Sequence, residues 1–281
     1  MSKGSLMLVP SGGLANRMRA VMSGYVATRE AGSRLTVVWF PDWALNAPFH
    51  EIFEPIDPAL FEIREARPTD YLLNDRPRRH NFRLTRYVQR LVYARIIEEQ
   101  CVTPLKMEHF DFVEWMRGRR CYMSSYQDFG TFPDSLYAEI FRPVKAVRDV
   151  IDATTSQFAP RTIGMHIRRT DNADSIAQSP TSLFIEAGER ELAANPDLKI
   201  FLATDSEEVK AELRAVFGYR LLTPSAPASR DSIEGIRGGL AELYTLAATS
   251  RIYGSANSSY STMAAKIGSG KTELVVCQKK D

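Results

Sequence analysis

Short apolar runs punctuate the chain, and in its second half each alternates with a longer segment of helical periodicity. Near the N-terminus, residues 6–10 (Leu-Met-Leu-Val-Pro) form such a run. A helical pattern follows over 14–31, with apolar residues at Met18, Val21, Met22, Tyr25 and Val26. Gly32 and Ser33 end it, and residues 35–40 (Leu-Thr-Val-Val-Trp-Phe) predict a second buried strand. Strands joined through a helix lie parallel, with a right-handed crossover. Residues 41–75 are broken by prolines and read as irregular, while 83–99 and 106–117 predict helices. In the second half the pattern predicts strands at 163–168, 199–204, 220–223, 251–253 and 273–277. Helices are predicted between them at 182–194, 206–217, 239–248 and 259–267. Such alternation specifies a parallel sheet covered on both faces. The polar and proline residues of 148–161 mark a seam. The expected fold is therefore α/β: two Rossmann-like domains, 1–155 and 156–281, facing a cleft.

Composition adds exclusions. The length suits two α/β domains of ordinary size. The net charge of +2 argues for no particular partner. The three cysteines, Cys101, Cys121 and Cys277, are not spaced as a zinc site or redox pair, so a reducing compartment is expected. The first apolar run is too short for a signal peptide, and no stretch is long enough to span a bilayer. These features predict a soluble, cytoplasmic protein.

Chemistry concentrates where apolar runs turn polar. Residues 162–172 begin as a buried strand and end in His166, Arg168, Arg169 and Asp171. Unpaired arginines are rarely buried, so the charged end belongs at a sheet edge, where open α/β sheets bind ligands. Two-residue periodicity places His166 and Arg168 on one side and Arg169 on the other. The fork of Arg168 suits phosphate oxygens, and a diphosphate is the simplest ligand. Arg169 is expected to pair with Asp171 or Asp174; a salt-bridged strand end is the plain alternative for the whole motif.

Three further segments have the same form. Ser11-Gly12-Gly13-Leu14-Ala15-Asn16-Arg17 links the first strand to the first helix. Its glycines let backbone approach a ligand, though the dinucleotide spacing is absent and a plain turn fits as well. Asp205, closing Phe201-Leu202-Ala203-Thr204-Asp205, either caps the next helix or accepts from the N1–H and amine of a guanine. Ser258, Ser259, Tyr260 and Ser261 offer hydroxyls and N–H groups to phosphate at a helix start, with capping as part of the explanation. Residues 265–272 resemble a relaxed Walker A loop, but a helix precedes them and a strand follows, the reverse of the required context. Residues 76–90 carry no acid. Arg83, Arg86 and Arg90 are expected on one helical face and Leu84, Val88 and Leu91 on another. A solvated basic face, or peripheral contact with an anionic membrane, accounts for this segment.

In order and spacing, Gly12–Arg17, His166–Asp171, Phe201–Asp205 and Ser258–Ser261 resemble the GDP-fucose-dependent fucosyltransferase superfamily, which contains α1,6-, nodulation and protein O-fucosyltransferases. The resemblance implies a GT-B fold, a nucleotide-sugar donor (GDP-fucose) held mainly by the C-terminal domain, and inverting transfer without metal to a glycan or glycoconjugate. By position, Arg168 resembles the arginine on the β-phosphate, and His166 and Asp205 resemble the guanine contacts. Ser258, Ser259, Tyr260 and Ser261 resemble the phosphate-binding segment, which Arg169 adjoins among the donor contacts. Asn16, with Gly12 and Gly13, resembles the N-terminal group that closes over donor and acceptor. Where α1,6 enzymes carry a glutamate after the Arg-Arg pair, this chain has Asn172-Ala173-Asp174, so Asp174 or Asp171 is the expected base, or no residue is. The length and lack of a secretory anchor suggest a bacterial, cytoplasmic enzyme. Competing readings are use of another nucleotide sugar, a catalytically silent nucleotide-binding homologue, and a P-loop phosphotransferase using Lys271.

Overall fold

The computed structural model describes residues 4–73, 83–170, 173–224 and 232–279. The chain forms two compact units, Met1–Arg142 and Pro143–Asp281. In the first, β1 (Ser5–Pro10), α1 (Leu14–Glu30) and β2 (Arg34–Trp39) form the expected parallel unit. There follow β3 (Glu62–Glu65), α2 (Asp70–Leu73), α3 (Arg83–Val92), β4 (Arg95–Ile97), α4 (Glu99–Met107), α5 (Phe112–Met116), β5 (Arg120–Ser125) and α6 (Ser135–Ile140). The sheet is parallel, in the order β3-β2-β1-β5-β4.

The second unit contains α7 (Lys145–Thr155), β6 (Thr162–Ile167), α8 (Ala173–Gln178), α9 (Thr181–Ala194), β7 (Lys199–Thr204), α10 (Glu207–Phe217) and β8 (Leu221–Leu222). It ends with α11 (Ile233–Ala247), β9 (Arg251–Ser255), α12 (Ser259–Ile267) and β10 (Glu273–Cys277). Its five strands, also parallel, run β10-β9-β6-β7-β8. Helix α7 packs on α11, so the units divide at 142/143, whereas the polar pattern of 148–161 suggests a seam further on. Among the described residues, no helix is long and apolar enough to cross a membrane.

Several elements differ from the sequence reading. The helix expected over 83–99 stops at Val92, and Arg95–Ile97 forms edge strand β4. The helix expected over 106–117 is replaced by the end of α4 and by α5. Strand β5, the neighbour of β1, has a sequence (Arg-Cys-Tyr-Met-Ser-Ser) too polar for a continuous apolar run, yet five of its six residues are buried. On α3, Gln89 is buried and Leu91 is 88% exposed. That helix ends one residue later, where Val92 and Tyr93 pack inward instead. Residues 74–82, and with them most of the basic segment's start, lie outside the described residues.

Two-residue periodicity decides what β6 presents. Ile163, Met165 and Ile167 enter one core with Phe184 and Ala187 of α9 and Leu213 and Phe217 of α10. Burying each large apolar side chain of this kind stabilises by about 1.5–3 kcal/mol. Thr162, Gly164 and His166 therefore face α11 and α12, and all six strand residues are buried. A Cβ on Gly164 would come within 2.7 Å of Leu246 on α11, consistent with that close packing.

In the first unit a buried cation ties two loops to the sheet. Arg17 is fully buried. Its Nε donates to the Gly12 carbonyl at 2.8 Å and its Nη1 to the Phe40 carbonyl at 2.6 Å, while Nη2 lies 2.8 Å from Asp42 Oδ1. The guanidinium also stacks 4.8 Å from the Trp39 ring centroid. Burial lowers its pKa to about 10, against the opposing pull of Asp42. Arg17→Met is expected to cost about 3–5 kcal/mol in denaturant unfolding, because it leaves Asp42 and two carbonyls without their donor. A loss below about 1 kcal/mol would show that the guanidinium does not hold these loops.

Candidate donor site

The second sheet reverses its strand order between β6 and β9, and ligands of open α/β sheets bind at such switch points, outside the carboxyl ends. At that point β6 ends at Ile167, so Arg168 and Arg169 lie just beyond the strand rather than within it. The backbone there is fastened from both sides. On the β9 side, Arg168 N donates to Ser255 Oγ at 3.2 Å, and Ser255 Oγ donates to the His166 carbonyl at 3.2 Å. On the β7 side, Thr204 Oγ1 donates to the Ile167 carbonyl at 2.6 Å. Asp205 completes the clamp: Oδ1 accepts from Arg169 N at 2.7 Å, and Oδ2 accepts from Thr170 N at 3.2 Å and Thr170 Oγ1 at 2.6 Å.

The capping alternative for Asp205 fails, because Ser206 is the N-cap of α10 and its hydroxyl accepts from Val209 N. Of the two partners expected for Arg169, Asp171 lies outside the described residues. The guanidinium donates to the Arg168 carbonyl at 2.8 Å, the Ser179 carbonyl at 2.9 Å and Thr181 Oγ1 at 3.0 Å, rather than to Asp174. These partners lie beside it because the chain doubles back between α8 and α9. Arg168 itself is half-buried at the end of the clamped segment.

His166 faces the start of α12. Its Nδ1 lies 2.7 Å from Ser261 Oγ and 3.3 Å from Ser258 Oγ. Ser258 caps α12, accepting from Ser261 N, so capping and site-building are done by the same hydroxyl. Gly254 permits this approach: a Cβ there would meet Ser261 Oγ at 2.6 Å. The Tyr260 ring stacks on His166 at 4.6 Å, and its hydroxyl donates to the Gly239 carbonyl. Burial, aided by Arg168 and opposed by Asp205, lowers the His166 pKa to about 4, so the imidazole is neutral at pH 7. Burial, and then the nearby Glu242 carboxyl, push the Tyr260 phenol well above its ordinary value. Ser259 opens the helix and is half-buried.

The structure thus brings His166, Arg168, Arg169, Asp205, Ser258, Ser259, Tyr260 and Ser261 to one sheet edge. Asp174 stands exposed in the first turn of α8, and Asp171 lies outside the described residues. Gly12, Gly13 and Asn16 belong to the first unit. There Gly12 adopts φ +79°, which an L side chain rarely tolerates, and Asn16 Oδ1 accepts from Arg19 at 2.8 Å. Glu242 escaped the sequence reading. It is buried on α11, and desolvation raises its pKa to about 8, partly offset by Lys210 and reinforced by Asp205. The signal was available: Glu242 is the only acid in the run Gly239-Leu-Ala-Glu-Leu-Tyr-Thr-Leu246.

No protein-family model matches the sequence, and no curated protein matches it. Solved structures do. The NodZ α1,6-fucosyltransferase soaked with GDP-fucose superposes with a TM-score of 0.62 at 16% identity, over 95% of this chain and 93% of that one. Fucosyltransferase NodZ from Bradyrhizobium gives 0.62 at 17% identity, over 94% and 93%. POFUT1 in complex with GDP gives 0.60 at 10% identity, over 98% of each chain. Two parallel five-stranded sheets flanked by helices thus place this chain in the GT-B-like α/β fold shared by these fucosyltransferase structures.

Proposed function

We propose that the protein transfers fucose from GDP-fucose to a hydroxyl of a glycan or glycoconjugate, with inversion at the anomeric carbon and without a bound metal. The observation that carries the reading is the clamped end of β6, which holds Arg168 beside the His166–Tyr260 stack and the first turn of α12. The GDP-fucose and GDP of the NodZ and POFUT1 structures support the choice of donor.

In this mechanism the acceptor oxygen bonds to fucosyl C1 as the bond from C1 to the β-phosphate oxygen breaks. The bonding pair leaves with GDP. Negative charge grows on the β-phosphate while the sugar becomes cationic. A guanidinium fixed at Arg168 therefore binds the transition state more tightly than the ground state. The N–H groups at the start of α12 and the hydroxyl of Ser259 contribute at the phosphates. Neutral His166 and the Asp205 carboxylate address the base. Asp205 already accepts from two N–H groups and a hydroxyl, which leaves a lone pair on its Oδ1 for the base. Asp174 takes the acceptor proton. A catalytically silent nucleotide-binding protein would retain GDP affinity without turnover. Exposed Arg86, Tyr87, Arg90 and Leu91 on α3 extend the proposal to salt-sensitive contact with an anionic membrane.

With GDP-fucose, a glycan panel and chelator present, Arg168→Ala is expected to lower turnover by about 10²–10³, or roughly 3–4 kcal/mol. Equal turnover by both proteins would remove Arg168 from the chemistry. Asp205→Asn places an amide N–H against backbone donors, so calorimetry should show GDP affinity falling about 10–100-fold, or roughly 1.4–2.8 kcal/mol. Unchanged affinity would show that the clamp does not position the site. The Glu242 carboxyl, at about 8 in the fold against 4.5 unfolded, holds its proton more tightly when folded. Its contribution is full below pH 4.5 and is lost as pH rises through 8. Denaturant unfolding should therefore show the stability advantage of wild type over Glu242→Gln shrinking from pH 5 to pH 8. An advantage that grows would refute the assignment.

A further inference from the structure

The first sheet has a switch point of its own, between β1 and β5, and an independent set of polar groups gathers outside it. Ser11 N donates to the Ser125 carbonyl at 2.9 Å, and Ser11 Oγ donates to Glu99 Oε2 at 2.5 Å. Glu99 N in turn donates to Ser124 Oγ at 3.0 Å, which brings the start of α4 against the end of β5. Gln127 Nε2 donates to Thr103 Oγ1 at 2.7 Å, continuing the rim along α4. On the other side of β1, Arg17 joins the Gly12 carbonyl to Asp42, at the loop that follows β2.

That loop carries Trp43, which is 50% exposed. It stands at the tip of a two-residue turn closed by Asp42 N to the Leu45 carbonyl and Leu45 N to the Asp42 carbonyl, both 3.1 Å. Asp42 Oδ1 braces the turn further, accepting from Ala44 N at 2.8 Å and Leu45 N at 3.2 Å. An exposed indole on a turn this firmly held is a large, rigid, amphipathic surface that folding itself leaves uncovered. A flexible exposed tryptophan would offer no such platform. The accessible rim nearby is the Thr103 hydroxyl, the Gln127 amide and the Glu99 carboxylate, while Ser11 and Ser124 lie buried behind them. It suits a neutral polyol, whose ring has an apolar C–H face and equatorial hydroxyls, and it does not suit an anion.

We infer that this edge recognises the acceptor sugar: Trp43 stacks on the face of one hexose or N-acetylhexosamine ring, and Glu99, Thr103 and Gln127, at the accessible end of the network that buried Ser11 anchors, take hydroxyls of the next. From β2 to β4 the edge crosses three inter-strand steps, about 14 Å, so it accommodates more than one ring. The inference deepens the transferase reading, on which its kinetic test rests, and it assigns acceptor specificity to the first unit.

The experiment uses the full chain, a panel of neutral hexose and N-acetylhexosamine oligosaccharides, and the variants Trp43→Ala, Trp43→Phe and Leu60→Ala. Leu60 is 44% exposed and controls for loss of a surface apolar group. Trp43→Ala should raise acceptor KM about tenfold or more, with kcat and donor KM within about twofold, while Trp43→Phe stays within about threefold and Leu60→Ala matches wild type. Saturation-transfer NMR without donor should show the oligosaccharide bound to wild type and not to Trp43→Ala. Unchanged acceptor KM and binding in Trp43→Ala overturn the inference and leave the fucosyltransferase reading standing. Trp43-dependent sugar binding without transfer from GDP-fucose supports the inference and overturns that reading.

Discussion

The geometry of the candidate site depends on one carboxylate acting on main-chain groups. Asp205 accepts from the N–H groups of Arg169 and Thr170, and these bonds set the path of the chain as it leaves β6. A hydrogen bond to a charged acceptor is worth about twice a neutral one. This one also spares two N–H groups that the end of the strand would leave unpaired. Arg168 is carried on that path, so the course of its backbone is set in part by a residue at the end of β7. The opposing anchor, Ser255, does the same from β9. In the role proposed for it, the Arg168 guanidinium would need such support, because a displacement of about 1 Å is costly in a site that works by pre-organisation.

The α12 face shows how a small residue enables a polar contact. Gly254 lacks the Cβ that would collide with Ser261, so the helix settles onto β9 and brings two serine hydroxyls and the Tyr260 ring to His166. Keeping that histidine neutral follows from its burial. A charged imidazole there would face the nearby Arg168 guanidinium and be disfavoured on both counts.

What the sequence disclosed follows from how each element is stabilised. Strands β6, β7 and β9 are covered on both faces, so each has a short apolar centre, and the polar residues at their ends were legible as a site. Strand β5 is equally central but contains Arg120 and two serines, Ser124 and Ser125, whose hydroxyls work in the loops beyond it, so periodicity alone concealed it. Strand β4 is three residues long and was absorbed into a helical pattern that α3 and α4 genuinely share on either side. Asp205 was recognised as important, but two of its three partners are backbone N–H groups, which sequence patterns do not specify. Glu242 was missed although a lone acid in an apolar helical run marks a buried or paired carboxyl; its burial on α11 bears that signal out.

Arg17 carries a consequence for how the first unit responds to acidity. Even after burial its pKa remains at about 10, so the link between the glycine turn and the Asp42 loop keeps its charge across the physiological range. An ammonium suffering the same penalty from its ordinary value near 10.4 would titrate at about 8. It would also lack the planar fork that reaches Gly12, Phe40 and Asp42 together. A lysine in this place would turn a permanent tie into a proton-sensitive hinge; the guanidinium leaves these loops indifferent to the pH of their surroundings.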